Sequence, residues 1–391
     1  MNRILVLPSY EYYATYSGTK YLLERLCGRG YCLRVIMRMK PENRHLYGDV
    51  PYRVDAWTWW NPHWPKFLRL VSHFLMWLKI IVAGVRSDVV LVIDAYHLGE
   101  AAMIKRLKPK VKIIHYSQEL QIPEEFPGFR GPILRKKYSP IVDLSIDVDP
   151  MRAKVSQEVF SLEKRPMVLL NTLPMTSIPS RGVSSLFDLA EIAPVQGRVV
   201  ILYAGAVGPE KPFSRIVDAV AMVDVPHFFI AFISATEEKY SAAVEYAKNR
   251  LHATDFVVHR GVKREALLSA EGDADIGIVD YTYAQEPTLN QRFCAPTKFY
   301  EYLAAGLMIV SSENENLAEI IDANDVGEHA VDGSVESLGA ALARCCRKAS
   351  GDAVRAKARK VFANSLCYEK ANDPVLAEIF GIIDDWANSL K

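Results

Sequence analysis

The sequence predicts an α/β protein made of two doubly wound domains facing a cleft. Apolar runs of strand length alternate with helical patterns along the whole chain, and they form two successive series. A Pro-, Ser- and Thr-rich stretch, "NTLPMTSIPSRGVSS" at 171–185, separates the series and reads as a linker. In the first series, strands are expected at 3–8, 32–38, 88–94, 112–117, 143–148 and 167–171, with helices such as 18–29 and 98–107 between them. In the second they are expected at 198–204, 227–233, 255–259, 274–279 and 307–311. The domains are therefore drawn at 1–175 and 198–371, joined by a linker at 176–197, with a last helix at 372–391 that can run back onto the first domain. In such folds ligands bind outside the C-terminal ends of the parallel strands.

Composition agrees with this plan. A chain of 391 residues, 50% hydrophobic and with net charge +1, can bury more than one core, and its near-neutral charge argues against a protein built mainly to hold nucleic acid. The six cysteines (Cys27, Cys32, Cys294, Cys345, Cys346 and Cys367) show no C-x-x-C pairing, so neither a zinc site nor a dense disulfide framework is expected, and a reducing compartment is. The opening "MNRILVLPSYEYY" has an apolar run too short for a secretory leader; it reads as a first strand, and a cytoplasmic location is expected.

One segment departs from the ordinary. "WTWWNPHWPKFLRLVSHFLMWLKIIVAGV" (57–85) holds five of the six tryptophans, and Arg69, His73 and Lys79 interrupt it, which argues against a transmembrane span. Two readings stay open: an aromatic and basic helix lying in an anionic membrane interface, or a long helix packed on the sheet.

The chemistry concentrates in the second series. In "APTKFYEYLAAGLMIVSS" (295–312), Phe299, Tyr302 and Leu303 recur at helical spacing after Pro296 and Thr297, and Gly306 can take the left-handed conformation that stops a helix. A short helix at 297–305 is expected, followed by a buried parallel strand. Lys298 and Glu301, three apart, share one side of its first turns, near amides that favour anions. Taken alone, the pair reads equally as an exposed surface ion pair.

Upstream, "VVILYAGAVGPEKPFSRIVDAVAMV" (199–223) is a strand, a glycine-bearing loop and a helix opening near Pro212. Gly205 and Gly208 permit close approach of a ligand, and Lys211 adds positive charge at the helix start, although the loop matches neither G-x-G-x-x-G nor Walker A. Both helix starts should open on one sheet edge. Lys211 and Lys298 then suit a diphosphate, and Glu301, with two acceptor oxygens, suits vicinal ribose hydroxyls.

These stretches carry a resemblance. "LYAGAVGPEKPFSRIVDAV", "VVHRGVKREALLSAEGDADIGIVDY" and "PTKFYEYLAAGLMIVSSE", with "DLSIDVDPMRAKVSQEVFSLEKRPMVLLNTLP" in the first half, resemble the GT-B glycosyltransferases, in particular the retaining family 4-like group. The resemblance implies two Rossmann-like domains and a nucleotide-diphosphate sugar as donor substrate, with no separate cofactor. It implies that Glu301 binds ribose and Lys211 the diphosphate, and that Lys298, following Thr297, approaches the phosphates or the transferred sugar. The loop after Val258–Arg260, with Gly261 and Val262, would lie against the base, and Gly18 in "TYSGTKYLLERL" would approach the diphosphate, Ser17 standing where the usual form has a second glycine.

Two positions depart from the family pattern. Counting back from Glu301, Phe293 replaces the first glutamate of an E-x7-E motif, and "IIHYSQELQIPEE" has Gln118 and Glu119 where relatives often place a histidine. Candidates for the missing polar groups are Asp94 and His97 in "VIDAYHLGEAA", and Glu119: Asp94 or Glu119 to accept the acceptor proton, His97 to hold a hydroxyl or phosphate. No D-x-D motif of the metal-dependent type is recognised, since "DVD" at 147–149 lies in a stretch resembling a structural part of the family, so metal-independent transfer is expected.

The expected reaction moves a sugar from a nucleotide sugar to a carbohydrate or lipid-linked acceptor in cell-envelope polysaccharide or glycolipid synthesis. A soluble secondary-metabolite acceptor is the alternative. The basic "GFRGPILRKKY" (128–138) suits a lipid phosphate at a membrane surface or is a solvated charge run. A nucleotide-sugar epimerase and a non-catalytic nucleotide-binding subunit are the competing functions.

Overall fold

A computed structural model of the chain describes every residue except 1, 14–15, 62, 179–184, 209–212, 282–286, 350 and 389–391, and the backbone alone at 386–388. The chain divides into two compact units, one formed by Met1–Asn171 with Ala371–Lys391 and the other by Thr172–Lys370.

The first unit is a seven-stranded parallel sheet. Its strands are β1 (Arg3–Pro8), β2 (Cys32–Arg38), β3 (Arg53–Trp57), β4 (Val89–Ile93), β5 (Lys112–Ser117), β6 (Leu144–Asp147) and β7 (Met167–Val168), in the order β3-β2-β1-β4-β5-β6-β7. β4 reads "VVLVI" and is buried throughout, as a strand covered on both faces requires. Successive residues serve opposite layers. Ile4, Leu91 and Ile114 meet Leu22 and Leu26 of helix Ser17–Gly28 and Ile379 and Ile383 of the C-terminal helix Asp373–Asn388. Leu5, Leu7, Val90 and Val92 face helices Lys66–Val85, Leu98–Leu107 and Arg130–Tyr138. The C-terminal helix is also tied by hydrogen bonds, from Asn2 Nδ2 to the Ile383 carbonyl at 3.1 Å and from the Tyr31 hydroxyl to Asp384 Oδ1 at 2.8 Å.

The second unit repeats the scheme with six parallel strands: β8 (Val199–Ala206), β9 (His227–Ser234), β10 (Phe256–Arg260), β11 (Ile276–Val279), β12 (Met308–Ser311) and β13 (Gly327–His329), in the order β10-β9-β8-β11-β12-β13. In both sheets the order reverses beside the first strand, between β1 and β4 and between β8 and β11. A crevice opens at such a point, outside the strands' carboxyl ends.

All the expected strands appear, and two more that the apolar pattern hides. β3 carries Asp55 at its centre, where it pairs with Arg34, Arg53 and Lys79; this is charge on a sheet edge, and it breaks the hydrophobic signal. β13 reads only "GEH", and its pairing on β12 depends on Gly327, where a Cβ would overlap the Ile309 carbonyl oxygen. The stretch read as a linker needs correction. Part of it, helix Leu186–Leu189, belongs to the second unit: Ser185 caps it, Leu186 is fully buried, and the Leu186 N–H donates to Asp273 Oδ2 at 2.9 Å.

Helix Lys66–Val85 packs one face on the sheet, as the second of the two earlier readings expects. Its inner face (Met76, Ile80, Ile81 and Ala83) is core, and Ser72 is fixed by the Trp57 indole N–H at 3.0 Å and by its own bond to the Trp59 carbonyl. Its outer face leaves Phe67, Leu70 and Phe74 in solvent at 71%, 60% and 59% exposure, although burying such a side chain is worth about 1.5–3 kcal/mol.

Candidate functional site

In the second unit the helix predicted at 297–305 forms as Thr297–Ala305. Gly306, at φ +90°, ends it, the Leu307 N–H closes back on the Tyr302 carbonyl at 2.9 Å, and Arg359 holds the Ala305 carbonyl. Pro296 stands at the N-cap and supplies no capping side chain. The helix lies close on the sheet because β11 has Gly277 beneath it, where a Cβ would penetrate the Tyr302 ring. Gly277→Ala is accordingly expected to cost about 1–3 kcal/mol by displacing this helix. Thermal denaturation checks the cost, and Gly277→Ala with Tyr302→Leu should restore part of it.

Glu301 is buried, and its Oε1 accepts two bonds from Arg264 on helix Arg264–Ala270, one from Nε at 2.8 Å and one from Nη2. No hydrogen bond from a described residue reaches Oε2. Beside this pair lies Glu271, also buried, with Oε2 unpartnered among the described residues. Burial pushes the Glu271 carboxyl well up, the Glu301 charge pushes it further, and Lys298 and Arg264 pull it down without cancelling the rise. The Tyr302 hydroxyl, likewise buried and unpartnered among the described residues, is raised by burial and then by Glu271 and Glu301. Lys298 is half-buried within this cluster, and Thr297 opens the helix.

The other expected donor residues are placed as follows. Gly205 is the last residue but one of β8, on the register Gly205↔Ile233, and Gly208 lies just after the strand, with Lys239 Nζ 3.9 Å from where a Cβ would stand. Lys211 lies outside the described residues. Arg260 stacks over the Tyr240 ring at 4.3 Å and pairs with Glu237, while the Gly261 N–H continues the sheet to the Ile233 carbonyl at 2.8 Å, with half-buried Val262 next. Phe293, at the position of the missing glutamate, is buried.

In the first unit the expected catalytic groups cluster at the carboxyl end of β4. Asp94 sits there at φ +56° and ψ 174°, a region that L-residues adopt only under constraint. The constraint is visible: Asp94 Oδ1 accepts the Gln118 N–H at 2.8 Å and the Glu119 N–H at 3.2 Å, and the Asp94 N–H reaches the Tyr116 carbonyl at 2.8 Å. Gln118 is pinned in turn by Thr19 and by Arg152, whose Nη1 meets its carbonyl at 2.6 Å. The departure from the family pattern at Gln118 is thus part of the frame that holds Asp94. Asp94 Oδ2 is buried and unpartnered among the described residues. Burial pushes this carboxyl up to about 7, and the negative Glu119 adds to the rise against the two amide bonds. Asp94, Ser117, Glu119, Gln121 and Arg135 line a small pocket.

His97 and Gly18 fit their expected roles less directly. His97 Nδ1 stands 3.7 Å from Glu100 Oε2, an ion-pair distance within its own helix start. Gly18 is the second residue of a helix, not an open turn; its N–H donates to Asn171 Oδ1 at 3.0 Å, and a Cβ would clash with the Tyr116 hydroxyl at 2.6 Å. The basic run is also divided. Arg135 is buried against Asp147 at 3.1 Å, whereas Lys136 and Lys137 are exposed. In "DVD", Asp147 thus has a structural partner, and Asp149 caps helix Pro150–Val159.

Arg264, Glu271 and the Gln118 frame escaped the sequence reading. Arg264 lies 37 residues from the carboxylate it holds, and no periodicity links positions so far apart.

The chain has the GT-B fold of glycosyltransferases. The Anabaena protein Alr3699/HepE, crystallised in complex with UDP and glucose, matches with TM-score 0.70 at 14% identity, over 97% of this chain and 100% of that one. A glycosyltransferase from Rickettsia africae gives 0.71 at 14% identity, over 99% and 98%. Sucrose-phosphate synthase from Thermosynechococcus elongatus gives 0.68 at 12% identity, over 100% of both chains. No family model matches the sequence, and no curated protein matches it.

Proposed function

We propose that the chain is a retaining, family 4-like glycosyltransferase that moves a sugar from a nucleoside-diphosphate donor to an acceptor hydroxyl in cell-envelope polysaccharide or glycolipid synthesis, on the cytoplasmic side. The observation that carries this is the buried Glu301 carboxylate at the carboxyl edge of the second sheet, with Oε1 braced by Arg264; we assign Oε2 to a ribose hydroxyl. The UDP complex of the Anabaena protein supports a uridine donor as the first to try.

In this reading Gly205, Gly208, Lys211, Arg260, Gly261, Val262, Thr297 and Lys298 hold the rest of the donor. As the bond from the anomeric carbon to the diphosphate oxygen breaks, negative charge grows on the leaving group, and lysines and helix amides stabilise it without a metal. The acceptor oxygen bonds to the anomeric carbon, and its proton passes to Asp94 Oδ2. A carboxylate poised near neutrality suits that step because it is basic enough to accept a proton, and a substantial fraction of it is ionised at that pH. Glu119 is the alternative base, and His97 a group for orienting the acceptor.

The test is release of nucleoside diphosphate from UDP-, GDP-, ADP- and dTDP-sugars, and of CMP from a CMP-sugar, with and without glycan or lipid-linked acceptors. Release that requires acceptor, with a glycoside formed, supports transfer. Isomerised sugar without acceptor would indicate an epimerase. Tight donor binding without any turnover would indicate a non-catalytic subunit.

Arg264 gives a second test. Arg264→Ala leaves Glu301 buried beside Glu271 without its Arg264 partner, and is expected to destabilise the unit by about 1–3 kcal/mol, with Arg264→Lys recovering part of the loss. Urea denaturation measures it.

A further inference from the structure

Helix Lys66–Val85 carries a feature that the donor site does not explain. Phe67, Leu70, Phe74, Leu78 and Val82 are exposed and spaced three or four residues apart, so they form one stripe along the outer face. The helix is long and apolar enough to cross a membrane, but Met76, Ile80, Ile81 and Ala83 are built into the sheet's core, so only the outer face is available to lipid. Trp59 and Trp60, both exposed, precede the helix, where amphipathic rings suit a headgroup region.

The charge is one-sided. No acidic residue occurs between Asp55 and Asp88, while Lys66, Arg69 and His73 flank the stripe. Helices Leu98–Leu107 and Arg130–Tyr138 pack in the same layer through the same core, and the latter presents Ile133, with Phe129 just before it, beside exposed Arg130, Lys136 and Lys137. A second copy of the chain would set cations against cations across such a face. An anionic surface complements it.

We propose that this layer docks on an anionic phospholipid bilayer, with the Phe67–Leu70–Phe74–Leu78 stripe in the interface and the surrounding lysines and arginines on lipid phosphates. The contact does not depend on the donor-site reading, and the experiment reads lipid alone.

Flotation of the full chain with vesicles of phosphatidylglycerol and phosphatidylcholine, and with pure phosphatidylcholine, tests the proposal. Binding to the anionic vesicles is expected, weakened by salt, and reduced about tenfold or more in Phe67→Ser with Phe74→Ser. Both positions are exposed, so an unchanged melting temperature verifies that the variant is folded. Three results would overturn the proposal: no binding to anionic vesicles at low salt; binding that the double variant retains in full; or no vesicle binding together with self-association, seen by light scattering, that the double variant abolishes.

Discussion

Asp94→Asn is expected to lower turnover steeply while making the protein more stable above neutral pH. The two effects have one cause. In the folded chain burial holds the Asp94 carboxyl up to about 7, against the ordinary aspartate value of 3.8 in the unfolded chain. The folded state therefore keeps a proton that the unfolded state has released. The contribution of this group to stability is fully present below about pH 4 and is lost as the pH rises through 7. The span is about three pKa units, or about 4 kcal/mol at most.

Asparagine keeps an oxygen for the Gln118 and Glu119 amides and tolerates positive φ, so the frame survives the substitution. It cannot take a proton. Turnover should fall about 10²- to 10⁴-fold. Melting curves from pH 4 to 9 should show the parent losing stability through neutrality relative to the variant. The acidic limb of kcat/KM, expected near 7, should be absent from any residual activity of Asp94→Asn and retained in Glu119→Gln. If the limb disappears in Glu119→Gln and persists in Asp94→Asn, the base is Glu119.

Glu301→Ala is expected to weaken donor binding about 10- to 100-fold, the loss of a charged hydrogen bond to ribose being worth about 1.5–3 kcal/mol. A thermal-shift screen reads this directly. A donor supplied at about 100 times its Kd stabilises the native state by about 2.7 kcal/mol, whereas a 100-fold weaker variant at the same concentration gains only about 0.4. Glu301→Gln separates charge from shape, since it retains one acceptor and relieves the repulsion that Glu301 exerts on Glu271. A donor that shifts the parent and Glu301→Ala equally would remove Glu301 from the site. Loss of the shift in both substitutions would tie ribose recognition to the carboxylate's charge.

The apolar runs made most of the fold legible, because a strand covered on both faces must be apolar throughout, as β4 and β8 are. Helix Thr297–Ala305 could be read to the residue, since its start and stop are written locally, in Pro296 and in Gly306 at positive φ. Local chemistry also singled out Glu301, with Asp94, Glu119 and His97 as candidates. Where the controlling contact lies far away in sequence, the reading stopped. β13 exists because Gly327 leaves room for a carbonyl on a neighbouring strand, and no pattern in "GEH" could show that.

Gly18 illustrates the opposite error. A motif-like glycine proved to be a packing residue under Tyr116, its amide already taken by Asn171. The sequence by itself determined the α/β class and the two parallel sheets, because periodicity and caps act over a few residues. Only the tertiary structure decided that Arg264 braces Glu301, that Gln118 and Glu119 pin Asp94 in a strained backbone, and that one face of helix Lys66–Val85 stays uncovered. Burial and pairing between distant segments set those properties, and they come into being only when the chain closes on itself.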